Sequence, residues 1–282
     1  MSEQETDLVC LSKKYTMNFA QTSDTFRADH RQSKIADRLV YALAHDGFGL
    51  VYQPEMDLRS RKVVSLEALC RWHDTELGHV APDEFIGVAE ARGLIVQIGE
   101  YLLKKVLMDL PTLLQRWPTS RVAINVSGLE LGLPDFAQRV ITHLAAVNSK
   151  WAQHLEFEVT ESVFHHNVPQ VRENLLSLRS LGITVAIDDF GTGQSSLSRL
   201  HTLPFDKIKL DRSFVQALED PMVQAIVKAM VQLADSFSRS LVVEGIETEQ
   251  QLAQLAGLGC RLGQGYWLGR PSTLQELPSG LS

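Results

Sequence analysis

Ile183-Thr184-Val185-Ala186-Ile187-Asp188-Asp189-Phe190-Gly191-Thr192-Gly193 joins an apolar run to two adjacent carboxylates and a loop with glycines two apart. The apolar and β-branched run predicts a short buried strand, and the glycines predict that it ends at the acids. Adjacent carboxylates repel and raise each other's pKa unless a cation sits between them or water reaches both. Two readings are open here: a metal site, or an Asx-turn or helix N-cap formed by one of the acids.

Outward from this stretch, strand-like runs recur at 48–52, 62–69, 121–125, 154–159, 205–210, 240–243 and 261–266, which with 183–187 makes eight. Helical spacing fills most intervals: 32–45, 82–91, 95–110, 134–147, 169–181 and 221–237, with Pro82, Pro134, Pro169 and Pro221 near helix starts. Gly182 and Gly257 fall where C-caps belong. Eight short strands alternating with helices predict an α/β fold, a (β/α)₈ TIM-like barrel whose site lies at the C-terminal ends of the strands. A doubly wound open sheet is the structural alternative. Residues 1–30 are polar and aperiodic and read as an N-terminal arm, whereas 31–282 show no repeat, low-complexity segment or linker and read as one barrel domain.

Of the 282 residues, 44% are hydrophobic, ample for one large core. The 27 basic and 34 acidic residues give a net charge of −7 with no basic run, which argues against a nucleic-acid polymer as partner. Cys10, Cys70 and Cys260 form no CxxC pair, which fits a reduced, cytoplasmic compartment. No signal-peptide pattern and no run of 18 apolar residues occurs, so no membrane partner is expected.

In a barrel, the residues closing each strand converge on one mouth. Glu67 lies in the second run, Asn125 closes the third, Glu158 the fourth, Asp188 and Asp189 the fifth and Glu244 the seventh, while Lys209 sits in the sixth and Gln264 in the eighth. Each alone has a bland explanation as a cap, a solvated rim or a lone ion pair. Together, five carboxylates face one ammonium, and two divalent cations would neutralise the excess. All candidate ligands are oxygens without a His or Cys cluster, which suits Mg²⁺ or Mn²⁺ better than zinc. A two-metal site of this kind is a common device for phosphodiester hydrolysis.

The chain resembles the EAL-domain family, the bacterial cyclic di-GMP phosphodiesterases. The resemblance runs in order through Tyr52-Gln53-Pro54, Glu67-Ala68-Leu69 with Arg71-Trp72, Pro82-Asp83-Glu84-Phe85-Ile86, Asn125-Val126-Ser127 and Glu158-Val159-Thr160-Glu161-Ser162. It continues through Asp188-Asp189-Phe190-Gly191-Thr192-Gly193, Lys207-Ile208-Lys209-Leu210-Asp211, Glu244-Gly245-Ile246-Glu247-Thr248 and Gln264-Gly265-Tyr266, spanning roughly residues 33 to 273.

The resemblance implies metal binding by Glu67, Asn125, Glu158, Asp188, Asp189 and Glu244, and catalytic roles for Lys209 and Gln264 beside Glu67, Asp188 and Asp189. It implies substrate contacts for Gln53 and Arg71, and loop-anchoring or supporting roles for Glu161 and Glu247. It further implies a first strand antiparallel to the others and a homodimer; with the all-oxygen donor set taking two Mg²⁺ or Mn²⁺ ions, the larger and less demanding Ca²⁺ is expected to bind but inhibit. Gln194 stands where the family usually carries an aromatic, which bears on how loop and dimer communicate, and Thr192 and Ser195 are local cap candidates. The expected activity is opening of cyclic di-GMP to linear 5′-pGpG. The rivals are a cyclic di-GMP receptor or interaction module, and a barrel glycosidase, which would use two carboxylates and leave the others without a role.

Overall fold

Why the chain closes on itself is visible in its sheet. The computed structural model describes residues 30–165, 167–191 and 197–277; the arm up to residue 29 and the loop positions Thr192, Gln194 and Ser195 lie outside them. The described strands are β1 (Phe48–Asp57), β2 (Val63–Asp74), β3 (Gly78–Val80), β4 (Arg121–Asn125), β5 (Leu155–Thr160), β6 (Thr184–Phe190), β7 (Lys207–Leu210), β8 (Ser240–Val243) and β9 (Leu262–Gln264). Their order is β1-β9-β8-β7-β6-β5-β4-β2-β3, and pairing of β1 with β2 closes eight of them into a barrel.

β1 runs antiparallel to β9, whereas every neighbouring pair from β2 through β4, β5, β6, β7 and β8 to β9 is parallel. The parallel strands therefore present their C-terminal ends at one mouth. Their short apolar runs are buried on both faces, as in Val122-Ala123-Ile124 and Leu241-Val242-Val243, because helices cover the outside.

The helices begin where the sequence supplies caps. Asp220 accepts from Met222 N–H before the helix Pro221–Ser236, and capping boxes form at Ser127 with Glu130 and at Thr248 with Gln251. The helix Ile95–Arg116 runs beyond the expected end at 110 and through Pro111, because its buried stripe continues to Leu113. Gly182 has φ +93 just after the helix Val168–Ser180, as a C-terminal glycine should. Gly257 does not act as a C-cap: it is the last residue of the helix Glu249–Gly257, and Gly259, at φ +96, takes the left-handed position.

Two compact units divide the chain. The larger, Gly49–Arg71 with the chain from Ile95 onward, contains the barrel. The smaller comprises the described residues up to Phe48 with Trp72–Leu94. Within it, the helix over 30–44 buries Ile35 and Leu39, and the rings of Phe48, Trp72 and Phe85 meet with centroids 5.7 to 5.8 Å apart. Arg38 pairs with Asp74 at 2.7 Å, and Arg31 with Glu84.

Gly265 shows how closely the barrel mouth is packed. A Cβ there would lie 2.2 Å from both N and O of Ile246, in the segment following β8, so backbone would have to move. Gly265→Ala is therefore expected to lower the unfolding free energy by about 1–3 kcal/mol, the usual cost of overpacking. Chemical denaturation checks this; an unchanged midpoint would contradict so tight an approach.

Candidate metal centre

Asp188 and Asp189 sit in a β-bulge. Ile187 pairs with Ile208 and Phe190 with Leu210, so Asp188 and Asp189 together oppose the single residue Lys209. Asp189 takes the left-handed conformation at φ +52, and its N–H donates to Asp188 Oδ1 at 2.9 Å. Simple strand alternation would send adjacent side chains to opposite faces. The bulge instead brings ligand oxygens of Asp188, Asp189 and Glu244 within 4.8 Å of one another, and those of Glu67, Glu158 and Asp188 likewise. Asp188 belongs to both groups.

Lys209, on β7, is 0% exposed. Its Nζ lies 2.8 Å from Glu244 Oε1, 2.9 Å from Glu158 Oε1, and 3.4 Å from Glu67 Oε2 and Asp188 Oδ1. Burial would lower its pKa, but Asp188, Glu158, Glu244 and Glu67 more than reverse this and hold the ammonium protonated. Burial pushes Glu158 far up, with repulsion from Glu67 next, and burial likewise raises Glu244 despite Lys209. Glu67 goes the other way: burial opposes ionisation, yet Lys209 and the hydrogen bonds from Gln264 and Asn125 leave its carboxyl below the usual range.

A hydrogen-bonded chain fixes Glu67. Asn125 Nδ2 donates to its Oε1 at 2.9 Å and Gln264 Nε2 to its Oε2 at 2.7 Å. Gln264 Nε2 also donates to Gln53 Oε1 at 3.1 Å, and Gln53 Nε2 donates to the Gly269 carbonyl at 3.1 Å. Gln53 thus has both ends of its amide engaged within the protein. Glu161 Oε1 accepts from Gly191 N–H at 3.0 Å, tying the end of β5 to the loop after the two aspartates. Gly191, at φ +102, lies against Phe214, whose ring a Cβ would meet at 2.5 Å.

Of the site residues expected from sequence, Glu67, Asn125, Glu158, Asp188, Asp189, Lys209, Glu244, Gln264 and Gln53 come together in the barrel unit, and Glu161 touches their loop. Arg71 is half-buried, with Nη1 donating to Cys70 O at 2.8 Å. Glu247 is exposed, and its backbone N–H donates to Gln251 Oε1 in the capping box of the next helix. Burial pushes the thiols of Cys70 and Cys260 up to about 12 and about 11, which disfavours the thiolate at both. Sequence reading missed Glu55, Glu156 and Lys207, three buried charges of the same lumen. The spacing of Glu156 with Glu158 and of Lys207 with Lys209, two apart on buried strands, was the available signal.

The donor set fits hard cations. It is all oxygen, it forms two groups sharing one carboxylate, and it includes Glu158, a fully buried carboxylate that faces the Lys209 ammonium at 2.9 Å. A barrel with this carboxylate cluster at its C-terminal mouth has the donor set for a divalent-metal site at the strand ends.

Comparison with known proteins narrows the class. The EAL domain family matches residues 36–271, and the chain belongs to that family. It is 39% identical over 251 residues to the cyclic di-GMP phosphodiesterase NbdA of Pseudomonas aeruginosa, covering 88% of this chain and 32% of that protein. The solved structure "PaMucR Phosphodiesterase, c-di-GMP complex" superposes with a TM-score of 0.80 at 35% identity, covering 87% of this chain and all of that one. The EAL enzyme Bd1971, bound to cAMP and cyclic di-GMP, superposes with a TM-score of 0.81 at 30% identity over 96% of this chain and 73% of that one. The chain spans about a third of the length of the curated relatives it matches.

Asp189 offers a test of the charge crowding. Burial first, then repulsion from Asp188 and Asp211, raises its carboxyl from 3.8 to about 6. A carboxyl raised on folding destabilises the metal-free fold in full above about pH 6, and the penalty shrinks as pH falls and is lost below 3.8, where the unfolded group is protonated as well. Discounted for partial exposure, it amounts to about 1 kcal/mol. In chelator at pH 7.5, Asp189→Asn should raise the thermal midpoint by about 2–4 °C, with the gain shrinking to a small fraction by about pH 4. A lowered midpoint at pH 7.5 would show that the carboxylate is not crowded.

Proposed function

We propose that the chain hydrolyses cyclic di-GMP to linear 5′-pGpG at this site, with two divalent cations held by Glu67, Asn125, Glu158, Asp188, Asp189 and Glu244. The observation that carries the reading is the pair of oxygen triplets sharing Asp188. The phosphodiesterase relatives and the dinucleotide in the MucR complex supply the substrate class. When bound, the cations polarise the phosphoryl oxygens and lower the pKa of a coordinated water.

The chain's own residues do the rest. The water oxygen bonds to phosphorus, the P–O3′ bond breaks, and the departing 3′ oxygen takes a proton. Lys209 acts in this reading as an ammonium that offsets negative charge on the attacking oxygen and the phosphoryl group. The attacking water, its pKa lowered by the cations, loses its proton to solvent, and the 3′ oxygen takes one up. Gln264 Oε1, buried without a donor, would accept a hydrogen bond from that water and orient it. Its Nε2 holds Glu67 in place, and Gln53 fixes the orientation of that amide as well as lining the substrate path. Arg71 supplies a guanidinium fork for phosphate oxygens. Glu161 anchors the loop through Gly191, with Glu247 supporting the neighbouring turn. Mg²⁺ or Mn²⁺ serves this chemistry, whereas the larger Ca²⁺ binds with little turnover. The reading includes a homodimer acting in the cytoplasm.

The test is chromatography of cyclic di-GMP incubated with the protein and each of the three metals. Linear product is expected with Mg²⁺ and Mn²⁺, and tight binding without product under every metal would favour a receptor. Lys209→Ala should lower kcat by about 10³-fold while leaving Mn²⁺ bound. Asp188→Asn, altering the carboxylate common to both triplets, should lose turnover and Mn²⁺ affinity together. Wild-type-like hydrolysis by either variant would overturn the assignment.

A further inference from the structure

The barrel lumen holds a second group of charges that this reaction does not use. Lys207 Nζ lies 2.9 Å from Glu55 Oε1, 2.8 Å from Glu55 Oε2 and 2.8 Å from Glu156 Oε1. The Thr184 hydroxyl donates to the other oxygen of Glu156 at 3.0 Å. All three charged residues are more than nine-tenths buried. Stability is a weak reason for such a triad, because replacing buried ion clusters with apolar residues of similar volume is often neutral or stabilising.

Its position supplies a better reason. Lys207 precedes Lys209 by two residues on β7, and Glu156 precedes Glu158 by two on β5, so the two ion clusters form successive layers of one lumen. β5 and β7 share no ladder, since β6 lies between them, and β8 and β9 lie between β7 and β1. Lys207 therefore ties together strands that backbone hydrogen bonds do not join. The next tie along β5 and β7 is Lys209 to Glu158 at 2.9 Å.

We propose that Glu55, Glu156 and Lys207 form a positioning brace that sets the separation of β5 and β7 and so holds Lys209 against Glu158 in the layer above. The functional consequence rests on the hydrolytic reading of that layer; the geometric one does not. A misplacement of about 1 Å in a reacting group costs about 10²-fold in rate. Altering residues that orient metal ligands costs about 10- to 100-fold in affinity.

The decisive variant is the triple replacement Glu55→Leu, Glu156→Leu, Lys207→Met, which removes the brace without leaving an unpaired buried charge. Its crystal structure should show Lys209 Nζ and Glu158 Oε1 separated beyond about 3.5 Å. Its Mn²⁺ affinity, read by calorimetry, should fall about tenfold or more and its kcat by about 10²-fold, with the thermal midpoint unchanged or raised. An unchanged Lys209–Glu158 contact overturns the brace whatever the wild type hydrolyses. Failure of the wild type to bind Mn²⁺ or form product counts instead against the hydrolytic reading. Should the triple variant not fold, the swap Glu55→Lys with Lys207→Glu decides. It keeps one cation between two carboxylates but abolishes the tie from β5 to β7, so the same structural separation and losses are expected, and a wild-type contact, affinity and turnover overturn the proposal.

Discussion

One buried ammonium organises the mouth of this barrel. Lys209 is excluded from water yet lies within 3.4 Å of four carboxylates that come from β2, β5, β6 and the end of β8. At an effective dielectric of about 20, a unit-charge pair at about 3 Å is worth about 5 kcal/mol, comparable to the several kcal/mol of burying the charge. The four acids together, Asp188 foremost, offset the cost of burial and keep the lysine ionised. The acids are the unbalanced party, since one ammonium cannot neutralise them all, and burial compounds their repulsion. That residual negative charge in a partly closed site makes the mouth a strong attractor for cations.

The bulge at Asp188 and Asp189 follows from the same demand. A regular strand offers one inward side chain per two residues, too few to place two adjacent acids on one site. Inserting an extra residue opposite Lys209 turns both toward it, and Asp is among the few side chains that accept the left-handed conformation this requires. The loop that follows is secured by Glu161 on Gly191, where a side chain would strike Phe214. Chain geometry and ligand geometry are thus set in a few consecutive residues.

Much of this was legible in the sequence because the parallel strands are short, apolar and bounded by charged ends. β4 and β8 fall on the expected residues, and the carboxylates at the strand ends converge as a barrel requires. Other features left no local trace. The direction of β1 is a property of its pairing with β9, and nothing in Phe48–Asp57 encodes which way it runs. The hairpin strand Gly78–Val80 is too brief for a period to show. Gln53 reads as a polar residue before proline, yet its amide is engaged by groups 211 and 216 residues away, contacts that only the closed barrel creates.

The lower layer of charge was missed for an instructive reason. Local pattern reading takes a lysine or glutamate inside an apolar strand as a strand end or an edge, since isolated charges are rarely buried. In a closed barrel the rule changes, because inward positions of all eight strands share one lumen and can satisfy one another across it. Lys207 is an interruption on β7 alone and a cross-tie once Glu55 of β1 and Glu156 of β5 face it. Buried charge in such a fold has to be read around the barrel by layers, and the layer that faces the mouth depends for its geometry on the one beneath.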